Sequence, residues 1–183
     1  MSPIQALMDE HRLIERMIAA LRVFAGRVQA GEELPRADLD GFVRFIRGFA
    51  DAHHHGKEED ILFQALTEQG MPRDMGPLGV MLAEHVEGRE YTASLAELAG
   101  GDGAWGEADK TQLGWAASSY ANLLLAHIQK EDQVLYPMAD QMLPEGVWQA
   151  IEKAFETFEA DGDNAARAAE LRAVATDLTE RYA

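Results

Sequence analysis

Apolar residues recur at three- and four-residue spacing through most of this chain, and glycine or proline stands where the rhythm lapses. That period marks amphipathic helices, and no stretch reads convincingly as a strand, so the pattern predicts an all-α protein. The first helix runs from about Pro3, in the favoured first-turn position after a capping serine, to the Ala30-Gly31 stop. A second starts near Pro35, continues through His53 to Phe63 and ends around Gly70-Met71-Pro72. A third begins near Gly76-Pro77 and stops at Gly100-Gly101-Asp102-Gly103, a glycine-rich turn that lacks the Lys-Ser/Thr ending of a phosphate loop. The fourth runs from about Glu107 to Asp140, with Pro137 kinking or tightening its last turn. Pro144 to Ala160 and Asp163 to Arg181 read as two further Ala-rich helices. Short connections between long helices predict an antiparallel up-and-down four-helix bundle over residues 1–141. Residues 142–183 form a C-terminal helical extension packed on the same domain.

Composition narrows the chemistry. The 183 residues, 47% hydrophobic with three Trp, are enough for a packed core. Acidic side chains outnumber basic ones 32 to 16, and the net charge of −16 makes nucleic acid and anionic membrane surfaces poor partners. There is no cysteine, so any metal is held by nitrogen and oxygen. Met1 to Glu10 lacks the basic start and apolar run of a signal peptide, and no segment approaches the ~20 apolar residues of a membrane span, which predicts a cytoplasmic protein.

All six histidines fall in four short stretches: Glu10-His11, His53-His54-His55, Glu84-His85 and His127. The second and fourth helices carry matching patterns, His54-x-x-Lys57-Glu58-Glu59-x-x-Leu62-Phe63 and His127-x-x-Lys130-Glu131-Asp132-x-x-Leu135-Tyr136. Each stacks a His and a Glu one turn apart on a single helix face. The first and third helices match as Leu7-Met8-x-Glu10-His11 and Met81-Leu82-x-Glu84-His85. His11 and His54 are 43 residues apart and His85 and His127 are 42 apart, so the chain reads as two helical hairpins related by an internal repeat.

At ~100° per residue, Tyr120, Leu123, Leu124, His127, Glu131, Val134 and Met138 share one stripe of the fourth helix. Ile4, Leu7, His11, Ile14 and Ile18 do so on the first, and Leu78, Met81, His85, Thr92 and Ala96 on the third. Helix two offers two registers, His54 with Glu58 or His55 with Glu59. The first shares a face with Val43, Ala50, Ile61 and Ala65 and matches the place of His127 and Glu131 in the repeat. His53 and His55 are then expected to flank the site or face solvent. Four imidazoles and two carboxylates packed together need a cation. The set exceeds one tetrahedral zinc and suits two ions bridged by Glu58 and Glu131, with His11 and His54 on one side and His85 and His127 on the other. Imidazole with carboxylate suits iron or manganese redox sites, with zinc as a further occupant.

At these residues the sequence resembles the hemerythrin-like, or HHE cation-binding, family. The resembling segments are Glu10-His11, His54 to Glu59 with Leu62-Phe63, Glu84-His85 with Gly88-Arg89, and His127 to Glu131 with Leu135-Tyr136-Pro137, within residues 1 to about 140. The resemblance implies a four-helix bundle with a non-haem di-iron centre that binds dioxygen or reacts with related small oxidants. Oxygen-carrying hemerythrins have two histidines four apart on the third helix, where this chain has His85 and Arg89. Their fourth helix has a His and an Asp five apart, where this chain has His127 and Glu131 four apart. These departures set peroxide or nitric oxide chemistry, or sensing, beside oxygen carriage. Glu15 and Arg89, four residues after His11 and His85, are expected to pair across the bundle and orient the ligands, and Tyr120 to line the pocket. Oxidant detoxification and an oxygen- or iron-sensing module, with the helices after residue 144 as reporter, both remain open at this point.

Overall fold

The computed structural model describes residues 2–183, so Met1 of the N-terminal stretch lies outside it. The described residues form six helices, none of them long and apolar enough to cross a membrane. Helix α1 covers Pro3–Gln29 and opens as the sequence indicates: the Ser2 hydroxyl accepts the Gln5 N–H at 3.2 Å, and Pro3 occupies the first turn. It ends before Gly31, whose φ of 94° lies in the region that favours glycine. Helix α2, residues 36–68, is composite. Its ends, Arg36–Phe45 and Phe63–Glu68, are α-helical, while Ile46–His55 and Glu58–Leu62 wind more widely, with i→i+5 bonding. Helix α3 covers Gly76–Ala99. Helix α4, residues 107–142, is α-helical over Glu107–Lys130, wide over Glu131–Leu135 and α-helical again over Tyr136–Met142. Helices α5 (Glu145–Ala160) and α6 (Gly162–Arg181) complete the chain.

The wide turns correct the expected faces of α2 and α4. Val134 and Met138 are exposed, and Leu135, Tyr136 and Ala139 are buried in their place. On α2, Leu62, Phe63 and Leu66 are buried where Ile61 and Ala65 were expected. A wide turn spends an extra residue per rotation, so every position after it moves round the helix by one residue. In α4 the wide turn stands just before Pro137, whose missing N–H and bulky ring an unbroken α-helix accommodates poorly.

α1 packs on α4, α4 on α3, and α3 on α2, while α1 touches α2 as well. The interior consists of two apolar clusters. One, built around Ile14, Phe24, Phe42, Phe45, Leu113 and Tyr120, fills the half where α1 ends. The other, with Leu7, Leu62, Phe63, Leu78, Met81 and Tyr136, fills the half where α1 begins. The polar layer described below lies between them, shielded from water on both sides.

Helix α6 lies against α1 and α2, burying Leu171, Ala175 and Leu178, and α5 contacts α1 and the Glu58–Leu62 segment. The Tyr182 hydroxyl and Arg181 both donate to Asp38 at the start of α2. Close approach depends on Gly48, because a Cβ there would stand 2.5 Å from the Leu171 Cδ1. Gly48→Leu is expected to destabilise the protein by about 1–3 kcal/mol through overpacking, read as a lower midpoint in thermal or denaturant unfolding. A midpoint at or above that of the parent protein would show that α6 does not need this contact.

Candidate metal centre

His11 on α1, His54 and Glu58 on α2, His85 on α3, and His127 and Glu131 on α4 meet in the polar layer, none more than 2% exposed. Nε2 of His11 faces Nε2 of His54 at 2.9 Å, and Nε2 of His85 faces Nε2 of His127 at 3.1 Å. Glu131 spans the two pairs: one oxygen is 3.2 Å from His11 Nε2 and the other 3.2 Å from His127 Nε2. A single oxygen of Glu58, Oε2, lies 3.7 Å from Nε2 of both His54 and His85. The Tyr136 hydroxyl donates to the other, Oε1, at 2.6 Å.

The outer nitrogens explain why the inner ones face each other. His54 Nδ1 donates to Glu10 of α1 at 2.8 Å, and His85 Nδ1 to Glu59 of α2 at 2.7 Å. His127 Nδ1 donates to Glu84 of α3 at 2.9 Å, and His11 Nδ1 to Asp132 of α4 at 2.8 Å. Each helix thus supplies the acid that orients the next helix's histidine, and the circuit closes on itself. Each acid is held in turn by a cation: Lys57 on Glu10, Arg89 on Glu59, Lys130 on Glu84 and Arg12 on Asp132. A carboxylate on Nδ1 fixes the tautomer and directs the Nε2 lone pair inward, as metal-bound histidines require.

A cation fits this set. Three buried carboxylate oxygens, Oε2 of Glu58 and both of Glu131, have no hydrogen-bond donor, and two pairs of imidazole nitrogens meet nearly in contact. Ligand atoms within 4.8 Å of one another form two buried groups: His11, His54, Glu58 and Glu131, and His55, Glu58, His85 and His127. A third group, Glu10, His53 and Glu159, already has its cation, because the Lys57 ammonium lies 2.5 Å from Glu10 and 2.6 Å from Glu159.

The electrostatics show how the residues balance without metal. Burial depresses His11, but the hydrogen bond to Asp132 and the nearby carboxylates of Glu131 and Glu58 lift it to about 9. Burial likewise opposes His127, and Glu131, Glu84 and Glu58 raise it to about 10. Burial and the charge on His11 hold His54 down at about 4 against Glu10. Burial and the His127 charge lower His85 against Glu59. Each facing pair therefore shares one proton. Burial and the neighbouring Glu131 push the Glu58 carboxyl well up, whereas burial of Glu131 is outweighed by His127 and His11, which hold it well down. The protons on His11 and His127 thus stand where cationic charge is called for, balanced against the ionised Glu131.

Several expectations change. Glu15 and Arg89 do not pair: Glu15 bonds Arg12 at 3.0 Å along its own helix, while Arg89 faces α2 and binds Asp51 and Glu59. Arg89 reaches the histidines through those acids. His53 and His55 are not at the solvent, being 4% and 7% exposed, because α5 covers the first through Phe158 and α3 covers the second through His85. Tyr120 does line a cleft of about 200 Å³ with His55, His85, Arg89, Thr92 and Leu124. Sequence reasoning gave no role to Glu10, Glu84, Asp132 or Tyr136, and gave Glu59 only that of the alternative ligand partner of His55. The signal for the four acids was present, since Glu10 and Glu84 precede repeat-related histidines and Glu59 and Asp132 follow repeat-related glutamates.

A family model described as the hemerythrin HHE cation-binding domain matches residues 2–139. Curated relatives include uncharacterized proteins of Mycobacterium tuberculosis and Mycobacterium bovis, each 24% identical over 150 residues, or 82% of this chain. The match covers 58% of each relative's own length.

Proposed function

The chain belongs to the hemerythrin HHE cation-binding family, and on that premise we propose that it is a non-haem di-iron protein that binds or reacts with dioxygen, peroxide or nitric oxide. His11 and His54 would hold one ion and His85 and His127 the other, with Glu58 and Glu131 as the carboxylates between the two pairs. The observation that carries this reading is the set of donorless buried oxygens of Glu58 and Glu131 placed against two pairs of facing imidazole nitrogens. The nitrogen and oxygen donors favour iron, with manganese or zinc as alternatives. The antiparallel up-and-down reading of residues 1–141 is supported by pairings that run in opposite directions. His11 meets His54 while Phe24 meets Phe42, and His85 meets His127 while Tyr91 meets Trp115. Residues 142–183 form the extension.

When bound, the ions supply redox capacity and open coordination positions for a small ligand. The protein's own residues do the rest. The circuit of carboxylates holds four imidazoles rigidly, and the two apolar clusters exclude water from the layer. Tyr136 keeps its proton, because burial and the charges of Glu58 and Glu131 push the phenol well above its ordinary range, and it donates that proton to Glu58 Oε1. The cleft beside His55 and His85 has room for a small ligand, and its charged lining is balanced, Arg47 and Arg89 against Asp51 and Glu84.

A sensing role is the second reading, favoured by one observation. Glu159 of α5 bonds Lys57 and stands 3.3 Å from His53, and both of these bond Glu10, which orients His54. A shift of His54 would therefore be felt by the C-terminal helices. The deciding measurement is elemental analysis of the untagged protein with absorption spectra before and after hydrogen peroxide. About two irons per chain with near-ultraviolet charge-transfer bands are expected, and peroxide turnover separates an enzyme from a sensor. Absence of stoichiometric metal after anaerobic reconstitution with ferrous iron would remove the di-iron reading.

A further inference from the structure

His55, like His53, has no histidine counterpart in the repeat: positions 126 and 128, on either side of His127, are Ala and Ile. Yet its surroundings reproduce those of the four histidines in the closed circuit. Its Nδ1 lies 3.3 Å from the Asp51 carboxylate, and Asp51 is itself held by two hydrogen bonds from Arg89, at 2.9 and 2.7 Å. The order of imidazole, carboxylate and cation is the same as in Arg89, Glu59 and His85, and the same guanidinium serves both histidines. The ring of His55 stacks on that of His85 with centroids 3.8 Å apart and planes 13° apart. Its ligand atom lies within 4.8 Å of those of Glu58, His85 and His127.

His53, its near neighbour, shows that burial alone does not produce this arrangement. There Nε2, the atom that would have to reach a metal, is the one engaged by Glu10 at 3.1 Å, and the ring stacks on Phe49 instead. Two features bring His54 and His55 into the same layer. They close the wide-turn segment of α2, where successive side chains diverge by less than on an α-helix. Asp51, one turn back, draws the His55 ring toward α3.

We propose that His55 is a fifth nitrogen ligand, joining His85 and His127 on one ion and leaving the other with His11 and His54 alone. This rests on the metal-binding reading above. The two ions are then unequal: one sits among three imidazoles beside the cleft, the other among two imidazoles behind Tyr136. Asp51 and Arg89 are positioning residues that aim His55.

The test uses cobalt(II) as the probe, titrated anaerobically into the full-length chain and followed by visible absorption and heat. Parent protein is expected to take two ions of different affinity. His55→Ala and His55→Phe are expected to weaken one ion more than about 100-fold, beyond the 10–100-fold carried by outer-shell partners, and to change the visible bands. The phenylalanine variant preserves the stacking on His85 and the burial, so it separates a ligand from a packing partner. Free imidazole is expected to restore the second ion in His55→Ala, while His53→Ala leaves the ion of His85 and His127 unchanged. If His55→Phe, folded by circular dichroism, binds two ions with parental affinities and spectrum, the fifth-ligand assignment is wrong and the four-histidine centre stands. A parent protein that binds no cobalt and no ferrous iron removes the centre itself.

Discussion

Glu131→Gln is expected to reduce metal content from about two ions per chain to one or fewer, with affinity lowered by more than about 100-fold. Glu131 is the residue whose two oxygens reach both histidine pairs, and neither oxygen has a hydrogen-bond donor in the protein. Glutamine preserves the shape while removing the charge and one oxygen. The metal-free fold should survive the change. Burial and Glu131 together push the Glu58 carboxyl well up, so loss of the Glu131 charge eases ionisation of Glu58, which then balances His11 and His127 in its place. Metal analysis and titration, beside far-ultraviolet circular dichroism, check this pair of outcomes. Full metal content in Glu131→Gln would show that the carboxylate does not bridge.

Metal loading is expected to raise the unfolding midpoint by about 15–30 °C at neutral pH. An excess of 1,000 times the dissociation constant contributes about 4 kcal/mol per ion, so two ions contribute about 8 kcal/mol. At this chain length each kcal/mol moves the midpoint by about 2–4 °C. The difference between loaded and metal-free protein should also widen with pH. His11 and His127 have folded values raised to about 9 and about 10 from 6.5. Their contribution to metal-free stability is complete below about pH 6.5 and disappears as pH rises through 9–10. The raised Glu58 carboxyl acts in the same direction. Metal displaces the protons of His11 and His127, so binding tightens over the same range and releases at least these two protons per chain near neutral pH. Differential scanning between pH 6.5 and 9, with and without chelator, reads both trends. A constant or narrowing gap would show that His11 and His127 do not carry the protons that the ions replace.

The straight helices were the legible ones. Of the expected stripe on α1, Leu7, His11, Ile14 and Ile18 are buried and Ile4 is half-buried, and on α3 Leu78, Met81, His85 and Thr92 are buried and Ala96 half-buried. Along α2 and α4 the stripe held up to the histidines and then slipped by one residue, because a fixed angle per residue cannot anticipate a wide turn. The His-x-x-x-Glu spacing survives the slip, since it spans a single turn and moves as a unit. Glu10, Glu59, Glu84 and Asp132 flank histidines that the sequence singles out, yet each orients a histidine on a different helix, a relation with no trace in local spacing. Arg89 illustrates the same point: its place one turn after His85 was evident, but its partners lie on α2 rather than at Glu15.

By itself the sequence determined the helices and their ends, the twofold repeat of histidine and glutamate, and the restriction of any metal to nitrogen and oxygen donors. These follow from periodicity, capping residues and composition, each of which acts within a few residues of chain. The tertiary structure alone decided which acid holds which imidazole, which ring nitrogen points inward, and that His55 turns toward the centre while His53 turns toward α5. Those outcomes depend on how each helix is rotated against its neighbours. That rotation is set by packing across the whole bundle and by the wide turns of α2 and α4, so no single segment contains it.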